Sequence, residues 1–348
     1  MIWRVFAAAI CSMCCGTAAF AVVTSKSDHV TARAFGTEGS KAWGLLVNDT
    51  VMLNPFGTIS ALDDLGQGKV DIAFSARGAA TPVEAALRFT PVAWDAVVLI
   101  VHPNNPVSQL SLAQLLEVYA GRARNWSMVG GADKLINLYA VAGPLDGIEY
   151  ELRRALFGNG SLNVAAGRWY LNTQQLEDAI AIDPAALGVT TLSAVYTNTK
   201  LKLLTIEGVV PSMATLENGT YLLAAPLYAV NRADQLETAP ASQLAAYLAG
   251  PEMVPRLRAK QMVPASEAAK IETASLQREI RIAGLVGRKP PVPPPPPIMK
   301  SDVNPMPKSN DSATHRRTAG KQPAPKSTKR NGMRVADQTR AAAKQSFR

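Results

Sequence analysis

Two short segments, Val70-Asp71-Ile72-Ala73-Phe74 and Ala96-Val97-Val98-Leu99-Ile100-Val101, are apolar at nearly every position and rich in β-branched side chains. A strand with water on one face would alternate; runs like these suit strands buried on both faces of a parallel or mixed sheet. Such a sheet needs helices to cover it, and the chain supplies them. Ser111-Leu112-Ala113-Gln114 has capping-box spacing, Leu112, Leu115, Leu116 and Tyr119 follow at helical intervals, and Gly121 is placed to end the helix. Gly147–Phe157 carries Ile148, Leu152 and Leu156 four apart on one face, and Ala241–Ala249 is a third short helix closed by Gly250-Pro251. The alternation predicts an α/β fold. Glu267–Val286 is read as a last helix docked on that body, and no internal repeat is visible.

The 348 residues carry a net charge of +9, but its placement is uneven. Arg288–Arg348 holds 14 Lys/Arg against 3 Asp/Glu, a net of +11, whereas residues 22–287 net −3. A mildly acidic body therefore carries a basic tail, which argues against a nucleic-acid-binding domain throughout. Pro290–Pro297 has seven prolines in eight residues, the composition of an extended spacer roughly 25 Å long at ~3.1 Å per residue. Beyond it the chain is too polar to offset the entropy of ordering, so disorder is expected. At the other end, Arg4, the apolar run Val5–Cys15 and the small residues of Ala19-Phe20-Ala21 have the pattern of an export signal cleaved after about Ala21. A membrane anchor is the competing reading, although the run is short of the ~20 residues a span needs. Cys11, Cys14 and Cys15 all lie in that segment, so the remainder has no thiol for disulfides, nucleophilic catalysis or zinc, and a periplasmic location suits it.

Against this background, residues 30–265 resemble the phosphate-type receptors of ABC importers, within the type II periplasmic substrate-binding proteins. Gly66-Gln67-Gly68-Lys69-Val70-Asp71-Ile72-Ala73-Phe74-Ser75-Ala76-Arg77 resembles the family's "D-I-A-x-S-S-R" strand and loop. Pro91–Val101 followed by His102-Pro103-Asn104-Asn105-Pro106 resembles its lobe-crossing strand, and Leu110–Leu115 with Asn125-Trp126 the next helix and tryptophan turn. Ile206–Ser212, Gly219–Leu222 and Pro226-Leu227-Tyr228 resemble the return into the first lobe, and Tyr247-Leu248 through Met262-Val263-Pro264 the terminal helix pair and strand. The resemblance implies two α/β lobes flanking a central cleft: lobe 1 over 22–97 and 206–287, lobe 2 over 98–205, and a spacer and tail over 288–348. It also implies a small ligand, phosphate or another oxyanion, delivered to the membrane subunits of an ABC transporter, and no enzyme activity or cofactor.

The same resemblance places the cleft. A first loop, Gly36-Thr37-Glu38-Gly39-Ser40, would open a helix at Lys41, and its backbone N–H groups would face an anion. Gly57-Thr58 keeps a hydroxyl where the family usually has serine. Ser75-Ala76-Arg77 keeps an arginine, either for the ligand or for a pair with Glu84. The largest departure is Ala142-Gly143-Pro144-Leu145-Asp146-Gly147-Ile148, where the family has an arginine and then Ser-Gly-Thr. Asp146 with Glu149 has helix-capping spacing, and a carboxylate there would repel an anion. The alternative is a degenerate cleft in a module that meets an acidic envelope partner through its tail; nucleic acid is the weaker partner for that tail. His29, His102 and His315 have no metal-ligand spacing, and Trp43, Trp94, Trp126 and Trp169 are expected to pack in the core or between the lobes.

Overall fold

The computed structural model describes residues 22–291 apart from Asp49, Phe56 and Pro144; residues 1–21, expected to form an export signal, and the tail from residue 292 lie outside the described residues. The strands are β1 (Val22–Ser27), β2 (Thr50–Pro55), β3 (Ile72–Ser75), β4 (Leu87–Val101), β5 (Gln109–Leu110), β6 (Asn137–Val141), β7 (Arg168–Tyr170), β8 (Ala186–Thr191), β9 (Lys202–Leu203), β10 (Thr205–Ile206), β11 (Ala224–Arg232) and β12 (Val263–Pro264). Among the helices are α1 (His29–Thr31), α2 (Thr37–Val47), α3 (Thr58–Gly66), α4 (Leu112–Tyr119), α5 (Gly147–Phe157) and α6 (Thr173–Ile180). They are followed by α7 (Leu192–Val195), α8 (Met213–Glu217), α9 (Pro240–Leu248), α10 (Val254–Ala259), α11 (Ala269–Thr273) and α12 (Ser275–Leu285).

One strand organises the rest. β4 is buried at every position from Val92 to Val101, because it is central to both halves of the sheet. Leu87–Ala96 pair antiparallel with β11, and Ala93 and Trp94 also with β12. From Val97 onward the partner changes to β8, and Ile100 and Val101 also pair with β9. The sheet therefore runs β2-β1-β3-β11-β4-β8-β6-β7. In the first half β1 is parallel to β2 and β3; in the second, β6 is parallel to β7 and β8. The unbroken apolar run 96–101 is the sequence trace of this arrangement.

Helices cover both halves, as the buried strands require. α4 has the full capping box, with Ser111 accepting from the Gln114 N–H and the Gln114 side chain accepting from the Ser111 N–H. The terminal segment read as one helix is divided: β12 is followed by α11 and then α12, whose Glu279 pairs with Arg154 on α5. Trp43, Trp94 and Trp126 are buried, but Trp169 departs from expectation at 46% exposed. It lies on β7, the last strand of the sheet order, with the Arg153 guanidinium 5.9 Å from its ring.

Candidate functional site

The parallel strands of the two halves bring their carboxyl ends to one crevice, where open α/β sheets place ligand-binding groups. β1 delivers Ser27-Asp28, the turn after β2 delivers Gly57-Thr58 at the start of α3, and β3 delivers Ser75-Ala76-Arg77. From the second half come Asp146-Gly147 at the start of α5 and Asn172-Thr173 at the start of α6. Several helix starts thus meet at one space, and their first N–H groups, which have no partner within their own helices, favour negative charge.

That space holds a carboxylate of the chain itself. Asp28 is buried at 4% exposure and caps α1. Its Oδ1 accepts from the Thr31 N–H at 2.7 Å and the Thr31 hydroxyl at 2.8 Å. Its Oδ2 accepts from the Thr58 hydroxyl at 2.9 Å and the Ala76 N–H at 3.0 Å. All four donors are neutral, so the carboxylate is held by directed hydrogen bonds rather than by a cation. Ser27 Oγ, one residue earlier, is buried and has no hydrogen-bond partner among the described residues.

A second carboxylate closes the crevice from the other half. Asp146 Oδ1 accepts from the Thr58 N–H at 3.1 Å, and the Gly147 N–H donates to Thr58 Oγ1 at 3.0 Å. Thr58 is therefore shared: its hydroxyl bonds Asp28 and Gly147, and its N–H bonds Asp146. Burial, then the nearby Asp28 charge, push the Asp146 carboxyl up to about 7, although the Thr58 N–H works the other way. Space around Gly147 is tight. A Cβ there would lie 3.0 Å from the Ala76 Cβ, 3.1 Å from Thr58 Oγ1 and 3.2 Å from Asp28 Oδ2.

The expected capping box of Asp146 and Glu149 does not form. The Asp146 side chain makes no bond to its own helix, because Thr58 draws it across the crevice. Glu149 turns inward instead, accepting from the Val141 N–H at 3.1 Å and from Arg153 at 3.2 Å. Its carboxyl is raised by burial, which the Arg153 charge opposes.

Arg77 is fully buried and spent on the protein. Its guanidinium meets both oxygens of Glu84 at 2.8 Å, and its Nε donates to the Leu145 carbonyl at 2.6 Å. Burial raises the Glu84 carboxyl, but Arg77 and the Ala80 and Thr81 N–H groups outweigh it and hold the pKa below the usual range. Of the two roles open to Arg77, the geometry provides the Glu84 pair. Ser75 is similarly engaged, donating to the Arg77 carbonyl at 2.7 Å.

The first expected loop is a correction. Thr37, Glu38, Gly39 and Ser40 lie inside α2, not at the crevice, because a π-helical segment, Ala32–Gly36, carries α1 into α2 without a break. Gly39 serves helix packing, since a Cβ there would fall 2.3 Å from Leu248 Cδ2. Glu38 pairs with Lys260 at 3.1 Å, and Ser40 is buried without a hydrogen-bond partner among the described residues. The loop that does reach the crevice is Ser27-Asp28. Its available signal was the Asp28-x-x-Thr31 spacing of a helix cap, directly after a segment able to form a strand.

Outside this knot lies a cavity of about 490 Å³, lined by His29, Ile59, Asp63, Asp146, Leu171 and Asn172. Its wall mixes apolar and acidic groups. The His29 pKa is lowered, chiefly by burial, against the raising effect of Asp28. Among the described residues no group of three or more His, Cys, Asp or Glu is arranged to hold a metal ion.

No curated protein matches this chain. Among solved structures, a putative phosphate ABC transporter substrate-binding protein with bound phosphate from Clostridium perfringens is 19% identical with a TM-score of 0.62, covering 70% of this chain and all of the other. An ABC-type phosphate transport receptor from Vibrio cholerae is 20% identical with a TM-score of 0.57, over 69% and 99% of the two chains. A phosphate-binding protein from Stenotrophomonas maltophilia is 13% identical with a TM-score of 0.58, over 74% and 94%. At these identities the likeness carries the fold. The family model described as the PBP superfamily domain matches residues 47–252, a stretch that includes β4 and both shared partners of the crevice, Thr58 and Asp146; the chain belongs to the PBP superfamily.

Proposed function

We propose that this chain is an exported, periplasmic binding-protein module whose cleft is kept shut by its own carboxylates, so that it acts as a cell-envelope interaction module and not as a carrier of phosphate. One observation carries the reading: the Asp28 carboxylate occupies the place where neutral N–H and O–H donors converge, at 2.7 to 3.0 Å. The arginine that follows β3, Arg77, is engaged by Glu84. An incoming oxyanion would meet one fixed negative charge and a second carboxyl, Asp146. Two unit charges about 4 Å apart repel by ~4 kcal/mol at an effective dielectric near 20, about three decades in affinity.

Bonds between the halves support the closed reading. Besides the Thr58 contacts, Arg33 pairs with Glu177 of α6 at 2.8 Å and donates to the Ala194 carbonyl at 2.6 Å. The interacting arm would be the segment 288–348 with its net charge of +11, suited to an acidic polymer, membrane surface or protein. Calorimetry with phosphate, sulfate and molybdate near pH 7.5 tests the first half of the proposal. No heat is expected, and submicromolar phosphate binding would overturn it. Deleting residues 289–348 tests the second half: capture by anionic vesicles or an acidic wall polymer should vanish while the melting temperature of the body stays unchanged.

A second reading, a solute receptor working with ABC transporter membrane subunits, is favoured by the cavity of about 490 Å³ at the cleft mouth. Its acidic and apolar wall suits a small organic cation better than an oxyanion. A thermal-shift screen that finds such a cation, lost on Asp63→Asn or Asp146→Asn, would select this reading over the first.

A further inference from the structure

We propose that Asp28 is an internal stand-in for a small anionic ligand, and that this one side chain sets the binding specificity of the cleft. The inference rests on the reading that the native cleft excludes oxyanions, and deepens it by naming the residue responsible and the class of anion its removal admits. The carboxylate is seated as a bound ligand would be: each oxygen accepts two hydrogen bonds from groups of three separate segments, α1, α3 and the turn after β3. Two further donors, the N–H groups of Thr58 and Gly147, lie on the same knot and close it from the other half. The buried, unpartnered hydroxyl of Ser27 is adjacent in the chain. Donors fixed by helix starts and strand ends need no rearrangement to receive another anion.

Removing the side chain should leave the groups of Thr31, Thr58 and Ala76 that bond it each short of a buried acceptor, which is unfavourable. The vacated volume is that of a carboxylate and its methylene. Formate fits the carboxylate part and acetate the whole, each with one charge. Phosphate and sulfate are larger and more highly charged, and Asp146 stays beside the site. The expected order is therefore formate or acetate ahead of phosphate or sulfate.

The test uses full-length protein with Asp28→Gly and Asp28→Ser, the serine retaining a capping oxygen for α1. Melting is followed near pH 7 with sodium formate, acetate, phosphate or sulfate at equal ionic strength, using sodium chloride as the reference. Both variants should melt below the native chain, and formate or acetate should raise the melting temperature of at least one of them by about 3 °C or more as the site saturates. The native chain and the isosteric Asp28→Asn should show no such rise. A variant unfolded in chloride that folds in formate counts in favour. If neither variant gains from any of the anions, folded or not, the inference is overturned. A gain by the native chain instead overturns the reading of a self-occupied cleft, so the two failures are distinguishable.

Discussion

The crevice and the underside of α5 both bury acidic side chains, yet they satisfy them differently. At the crevice Asp28 takes four bonds from neutral donors on three segments. Beneath α5, Glu149 pairs with Arg153, which is itself fully buried and leaves Nε and Nη1 without partners among the described residues. The Tyr119 hydroxyl on α4 is likewise unpartnered, and its pKa is raised, first by burial and then by Glu149. Opposite charge with a single N–H, that of Val141, balances the second site, while four directed donors shape the first. A cradle of directed donors selects for one geometry and one sign of charge; a charge pair in apolar surroundings chiefly avoids the penalty of an isolated ion.

The largest effect should come from breaking a buried pair beside the crevice. Arg77→Met leaves Glu84 buried with only the Ala80 and Thr81 N–H groups, and removing one partner of such a pair typically costs about 3–5 kcal/mol. Urea unfolding should show it. Arg153→Met should cost less, because two of the three guanidinium nitrogens there have no partner to lose. Equal losses would erase the distinction between the two regions.

Next in size is Thr58→Val. It removes the hydroxyl that serves Asp28 and Gly147 together, leaving one acceptor and one donor each short of a bond, at about 1–3 kcal/mol for a buried group. Thr58→Ser keeps the hydroxyl and should recover most of that loss. If valine and serine behave alike in urea unfolding, the shared-threonine description of the crevice is wrong.

Proton linkage distinguishes the regions further. The Asp146 carboxyl titrates near 7 in the folded chain, well above its unfolded value of about 3.9. Its contribution is thus fully present below about pH 4 and is lost as pH rises through about 7. The native protein should lose part of its stability between pH 5 and pH 8, and Asp146→Asn should lose less, since its amide does not titrate there while its oxygen can still accept from Thr58. Asp95, buried at the change of partner on β4 and raised by burial to about 6, contributes in the same direction. Only the difference between native and variant urea midpoints therefore reports Asp146, and parallel pH profiles would remove it from the linkage.

Much of this architecture is legible in the sequence. The run 96–101 announced a strand buried on both faces, and the caps around Ser111 and the stripe Ile148, Leu152, Leu156 located α4 and α5, because local physics decides each of these. The crevice was half legible. Thr58, Asp146 and Gly147 were expected there and meet there, but their bonding crosses between the halves, over 88 or 89 residues of sequence. No local pattern encodes that distance. Asp146 illustrates the limit: its spacing to Glu149 is that of a cap, yet tertiary geometry gives each carboxylate a different partner. The sequence around Asp28 carries no signal beyond the spacing of a helix cap, whereas the glycines at 36 and 39 have the pattern of an anion loop but are small for another reason. Phe74 and Leu248 press against them.

That misplacement yields the smallest expected effect. Glu38 is 56% exposed at its side chain and pairs with Lys260 at 3.1 Å on the surface of α2. Lys260 also donates to the Arg33 carbonyl at 2.8 Å, so it remains held when the carboxylate is neutralised. Glu38→Gln should therefore change stability by no more than about 0.5 kcal/mol. In the Asp28→Gly background it should leave any response to formate unaltered. The double variant is the sharper measurement, since an anion loop at 36–40 would respond to losing a negative charge whereas the crevice around Thr58 would not. A formate midpoint shifted several-fold by Glu38→Gln would bring α2 back to the site and undo the division drawn between helix packing at Gly39 and anion holding at Asp28.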